Sequence, residues 1–160
     1  MRIVTLTALV GAAIATHSQT VSQGDVTMAQ HVSGPFTVKI APQSEDKTDG
    51  VALGRMSLDK QWSGALSGTS RGEMLTAMGQ VEGSAVYVAI ERFTGTLDGK
   101  KGAFALAHLG TMNRGAQQLT ITIVPDSGTQ ELEGIEGSMT IRIEAGGKHF
   151  YDLTYTLKPR

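Results

Sequence analysis

The run YVAIERFTG (Tyr87–Gly95), continued by TLDGKKGAFALAHLG (Thr96–Gly110), decides how this chain folds. Its first part alternates as a half-buried strand does, with Val86, Val88 and Ile90 on one face and Tyr87, Ala89, Glu91 and Phe93 on the other. Asp98-Gly99 is a strong hairpin signal. Whether that turn holds two or four loop residues, the paired positions sum to an odd number. Tyr87, Ala89, Glu91 and Phe93 therefore share a face with Phe104, Leu106 and His108. A two-residue loop puts His108 diagonal to Glu91, and a four-residue loop puts it directly opposite.

A four-residue loop at Asn113–Ala116 brings Leu119, Ile121 and Ile123 onto that same bulky face, which is then the inside of a sheet. The other face carries Val86, Val88, Ile90, Ala105, Ala107 and Leu109 and is unusually aliphatic for a surface in water. It predicts a homo-oligomer.

Working outward, short alternating runs punctuated by glycine extend over Pro35–Ala41, Gly54–Gly64, Leu66–Met78, Gly83–Leu97, Ala103–Met112, Gln118–Pro125, Gly137–Glu144 and His149–Leu157. No convincing amphipathic helix interrupts them. The expected fold is all-β, an eight-stranded antiparallel up-and-down barrel. The face of His149, Tyr151 and Leu153 depends on the Gly146-Gly147 turn. Two loop residues point it out, and a three-residue bulged loop points it in.

The ends read differently. Residues 1–15, with Arg2, an apolar run to Ala15 and the small-residue pattern Ala13-Ile14-Ala15, form a signal peptide too short to span a bilayer. Residues 16–33 are a polar, flexible linker, and residues 34–160 are the barrel domain. The expected location is periplasmic or secreted, or cytoplasmic if the leader does not function. A net charge of −1 without any basic run argues against nucleic acid, and no second apolar run is long enough to span a membrane. The absence of cysteine removes disulfides, thiol catalysis and thiolate metal sites.

Glu91 and His108 are the candidate catalytic pair. A carboxylate beside an imidazole in an apolar interior can hold or move a proton, and it can equally pin strand register or be bridged by Lys60 or Arg71. Lys60 and Trp62 alternate with Leu58 on one strand face. Arg71 and Glu73 alternate with Gly68 and Gly72, part of a glycine stripe that lets a barrel coil or a ligand approach. Tyr87, Phe93, Phe104 and Tyr151 complete the aromatic set expected to line a ligand site with them. His17, His31, His108 and His149 have no local partners at metal-ligand spacing, so neither metal nor cofactor is expected.

The stretches Leu53–Leu75, Gly83–Met112, Leu119–Ile141 and Gly146–Leu157 together resemble a bacterial family of unknown function, the DUF3224 type, with an allene-oxide-cyclase-like barrel. Gly54-Arg55, Lys60, Gly72-Glu73-Met74-Leu75, Glu91, His108, Gly110, Met112 and Tyr151 carry the resemblance. Ala65 and Val86 depart from it, where an aspartate and a glycine are usual. The resemblance implies an eight-stranded barrel and oligomerisation and supplies no reaction; Met112, one of the residues that carry it, belongs with the ligand-lining candidates. The expected function is binding of a small apolar or amphipathic molecule in the interior, with isomerase or cyclase activity. The alternatives are a non-catalytic carrier and a structural barrel acting through its outer face.

Overall fold

A computed structural model describes residues 28–158, so the expected leader and residues 16–27 of the expected linker lie outside the described residues. The strands are β1 (Gln30–Thr48), β2 (Val51–Trp62), β3 (Leu66–Met78), β4 (Ala85–Leu97), β5 (Lys100–Asn113), β6 (Ala116–Ile123), β7 (Ile135–Glu144) and β8 (Lys148–Leu157). Each pairs antiparallel with the next, and β1 pairs with β8 to close the barrel. Among the described residues no helix is long and apolar enough to cross a membrane.

Three turns set the register. Asp49-Gly50, Asp98-Gly99 and Arg114-Gly115 each have positive φ at both residues, the backbone of a two-residue hairpin that matches strand twist. The Asp98-Gly99 turn pairs Glu91 with Leu106 and Ala89 with His108, the diagonal arrangement. The expected four-residue loop at Asn113–Ala116 is corrected to two residues, since Asn113 pairs with Ala116. Parity is unchanged, so Ile121 and Ile123 still face the core. Three residues separate Glu144 from Lys148, the arrangement that turns Tyr151 and Leu153 inward, and both are fully buried.

The first hairpin is longer than the sequence suggested. β1 begins at Gln30, so Gln30–Ser33 are strand rather than linker, paired with β8 from Tyr155 to Asp152. Closing the sheet gives these polar residues a partner, since the β8 edge has otherwise no strand beside it. At the other end β1 continues through a bulge at Pro42–Ser44, and β1 and β2 extend as a ribbon to the Asp49-Gly50 turn. A bulge is where a strand tolerates proline.

The interior is divided. One end is packed solid by Leu66, Phe93, Leu97, Phe104, Leu106 and Leu153, and is sealed by the β6–β7 connection. That connection carries a short 3₁₀ turn (Gln130–Leu132) whose Leu132 is fully buried. It is tied to β5, where Ser127 Oγ and Thr129 Oγ1 accept from the amides of Ala105 and Ala103 (3.0 Å each). At the other end the strands splay: β6 and β7 share only the pairs Ile121–Met139 and Thr122–Ser138, and β1 leaves β8 after Phe36.

Candidate functional site

The splayed end opens into a cavity of about 480 Å³, walled by Val38, Met56, Met74, Tyr87, Met112 and Ile141. Its floor lies where the packed half begins, and there stand three buried ionisable groups: Lys60, Glu91 and His108. Three strands contribute them, β2, β4 and β5, each at a position whose side chain alternates inward.

Glu91 is the hub. Lys60 Nζ (2.7 Å) and His108 Nε2 (2.9 Å) both reach its Oε1, and Ser70 Oγ donates to its Oε2 (2.6 Å). Ser70 in turn accepts from Trp62 Nε1 (2.9 Å). Burial alone pushes the Glu91 carboxyl up. The His108 hydrogen bond, the Lys60 charge and hydrogen bond, and the Ser70 hydroxyl outweigh it and bring it down to about 2. Glu91 is therefore an anion throughout the physiological range, and His108 Nε2 must carry the hydrogen that faces it.

Aromatic rings support the cation from the other side. Lys60 Nζ lies 5.4 Å from the centroid of Phe36 and 5.1 Å from that of Trp62, and these two rings stack at 4.6 Å. Buried charges are tolerated when paired and fully hydrogen-bonded, and no buried side-chain nitrogen or oxygen among the described residues lacks a partner.

Two glycines shape the floor and wall. Gly72 faces Glu91 across β3–β4, and Gly110 faces Tyr87 across β4–β5. The Tyr87 ring lies over Gly110, where any Cβ would overlap its Cδ1 and Cζ at 2.6 Å. Burial, and then the Glu91 charge, push the Tyr87 phenol above its ordinary value.

Of the residues singled out from sequence, His108, Lys60, Tyr87 and Met112 line the cavity. Glu91 lies behind His108 and Lys60 with no exposed surface. Trp62, Phe93, Phe104 and Tyr151 are inside but beneath the floor, packed into the closed half, so they support the site rather than line it. Arg71 and Glu73 are corrected outright. Both point out of the barrel, Arg71 pairing with Asp59 (3.2 Å) and Glu73 with Arg55 (2.8 Å). The even-numbered residues of β3 face inward, and the irregular β3–β4 connection hides that parity from sequence. The same parity would have revealed Ser70, which composition gave no reason to choose. Exposed His31 pairs with half-buried Asp152 (3.4 Å), and among the described residues no three His, Asp or Glu cluster as metal ligands would.

Residues 32–155 match the family model described as "Protein of unknown function (DUF3224)". The chain belongs to the DUF3224 family. A solved structure from that family, a protein of unknown function from Shewanella oneidensis MR-1, is 45% identical. The match covers 83% of this chain and 100% of that one, with a TM-score of 0.78. No curated protein matches the chain. Membership in DUF3224 accounts for the barrel and leaves the chemistry of its floor to be argued from the residues.

Proposed function

We propose that this DUF3224 barrel binds one small apolar or amphipathic molecule in its open half, apolar part along the methionine-rich wall and polar end at Lys60 and His108. The supporting observation is the cavity itself. Its volume is in the range that small-molecule sites occupy, its wall is mostly apolar, and its two buried polar lining residues, Lys60 and His108, meet on one oxygen of Glu91. A barrel acting only through its outer face has no need of such a space.

Two versions follow. In one the barrel is an isomerase or cyclase that holds a reactive molecule in one conformer while a proton moves. In the other it is a carrier. Residues 1–15 support a protein exported to the periplasm or beyond.

Native mass spectrometry of protein purified from its own host tests the binding reading. A co-purifying small molecule that Ala89→Leu, at the cavity floor, excludes is the expected result. An empty wild-type barrel that also fails to take up a solvatochromic fluorescent dye would overturn it.

The outer face supports a second copy as partner. Leu75, Val88 and Leu109 form one continuous row across β3, β4 and β5, with Ile90, Val86 and Leu53 beside it, and all six are exposed. An apolar surface so continuous is more stable against another subunit than against water.

A further inference from the structure

Resting on the ligand reading above, we infer that the cavity floor is built for proton transfer at the carbon next to a carbonyl, with His108 Nδ1 as base and Lys60 Nζ as the oxyanion's partner. The argument begins with Glu91. It is fully buried, and its two oxygens already accept three hydrogen bonds, so it does not reach a ligand in the cavity. What it does is fix the two groups in front of it.

His108 presents Nε2 to the carboxylate, which leaves the neutral ring with its lone pair on Nδ1. His108 lines the cavity, and Nδ1 has no protein partner among the described residues; it is not sealed away, because no buried side-chain nitrogen there is unsatisfied. Lys60 also lines the cavity, spends one N–H on the same Glu91 oxygen, and meets only aromatic faces besides. An acceptor and a charged donor thus stand side by side on one oxygen atom. A carbonyl group has the matching pair of atoms: an oxygen to accept from Lys60 and an acidic C–H beside it to give a proton to His108.

The step balances within the complex. His108 Nδ1 takes the α-proton, the C–H electron pair becomes the C=C bond of an enolate, and the carbonyl π pair moves onto oxygen beside the Lys60 ammonium. The imidazolium formed is stabilised by Glu91, and it returns the proton to the α-carbon or, in an unsaturated ketone, to the γ-carbon. The second outcome is a double-bond isomerisation that needs no cofactor. His108 and Lys60 are catalytic residues in this scheme, and Glu91 is a positioning residue.

The test uses the full chain with 2-alkanones from 2-hexanone to 2-dodecanone in D₂O. Binding is read by saturation-transfer NMR and α-deuteration from the loss of the α-proton signal. The expected result is binding of at least one chain length with deuteration about 100-fold faster than the same concentration of free imidazole gives. His108→Gln should abolish most of that acceleration while the 2-alkanone still binds. Glu91→Gln, which keeps a hydrogen-bond acceptor, should lower the rate at saturation about tenfold while leaving binding intact. Glu91→Gln carries the test if His108→Gln does not fold.

Binding without acceleration, or acceleration that survives His108→Gln, would overturn the proton-transfer assignment and leave the binding reading standing. Failure of every 2-alkanone to bind would count against the binding reading itself.

Discussion

Gly72 stands directly opposite Glu91 across β3 and β4, and a Cβ at position 72 would come within 2.6 Å of the Cα and Cβ of Glu91. The β4 backbone at Ile90 and Glu91, with the Glu91 Cβ, fills the space a side chain would have taken. Gly72→Ala should therefore displace Glu91 and strain the pair, lowering stability by about 1–3 kcal/mol. Urea denaturation measures it, and an unchanged midpoint would mean that the strands part without cost.

Lys60→Met removes the only ammonium from a carboxylate with no exposed surface. Breaking a buried pair from one side costs about 3–5 kcal/mol, and the lower end is expected because His108 and Ser70 still hold Glu91. Adding Glu91→Gln to Lys60→Met should recover part of the loss. A double variant as unstable as the sum of the singles would show that the two groups are not coupled.

Acid should act through the same carboxyl. Glu91 titrates at about 2 in the barrel against an ordinary value of 4.5. Its stabilisation is complete above about pH 5 and is lost progressively as the pH falls toward 2, because between the two values the unfolded chain binds the extra proton. The full effect is roughly 3 kcal/mol. Wild-type stability measured from pH 6 to pH 2 should fall more steeply than that of Glu91→Gln. Parallel curves for the two proteins would remove Glu91 as the cause.

Tyr155 locks the closed end. Its hydroxyl lies 2.6 Å from Asp98 Oδ2 in the β4–β5 turn and 2.7 Å from Gln30 Oε1 at the start of β1. Burial, then the Asp98 hydrogen bond and charge, push its phenol well above the ordinary range. Tyr155→Phe should cost about 1–2 kcal/mol. Amide exchange in the Asp98-Gly99 hairpin should quicken with it; protection equal to wild type would mean the contact holds nothing together.

Ile90→Glu tests the outer face. It places a charge beside Val88 and Leu109 without touching the interior, and Ile90 is already 58% exposed. Sedimentation should show a larger species for the wild type and a monomer for the variant, both with the same β-sheet circular dichroism spectrum. A wild-type monomer at high concentration would exclude the second copy.

How far the sequence could be read follows its turns. Asp98-Gly99 admits few backbone conformations, so parity carried from Glu91 to His108 and onward to Ile121 without any structure, and even a wrong loop length at Asn113–Ala116 left it intact. The Gly79–Ser84 connection offers no such constraint, so nothing in the sequence tells that Arg71 and Glu73, candidates for the ligand site, face out and that Ser70 faces in. The charged run before Asp49-Gly50 carries little strand signal because this end of β1 is exposed on both faces, so its pattern of apolar residues is faint.

An all-β chain, the pairing of its central strands, and an acid and an imidazole on one inner face were legible from the residues alone, because each follows from a period of two and a short turn. The folded barrel alone reveals that Lys60 and not Arg71 meets Glu91, that Trp62, Phe93 and Phe104 lie beneath the floor, and that one half of the barrel is open. Those depend on how far each strand is shifted along its neighbours and on where strands part. Distances between residues far apart in the chain set them, and local pattern carries no record of such distances.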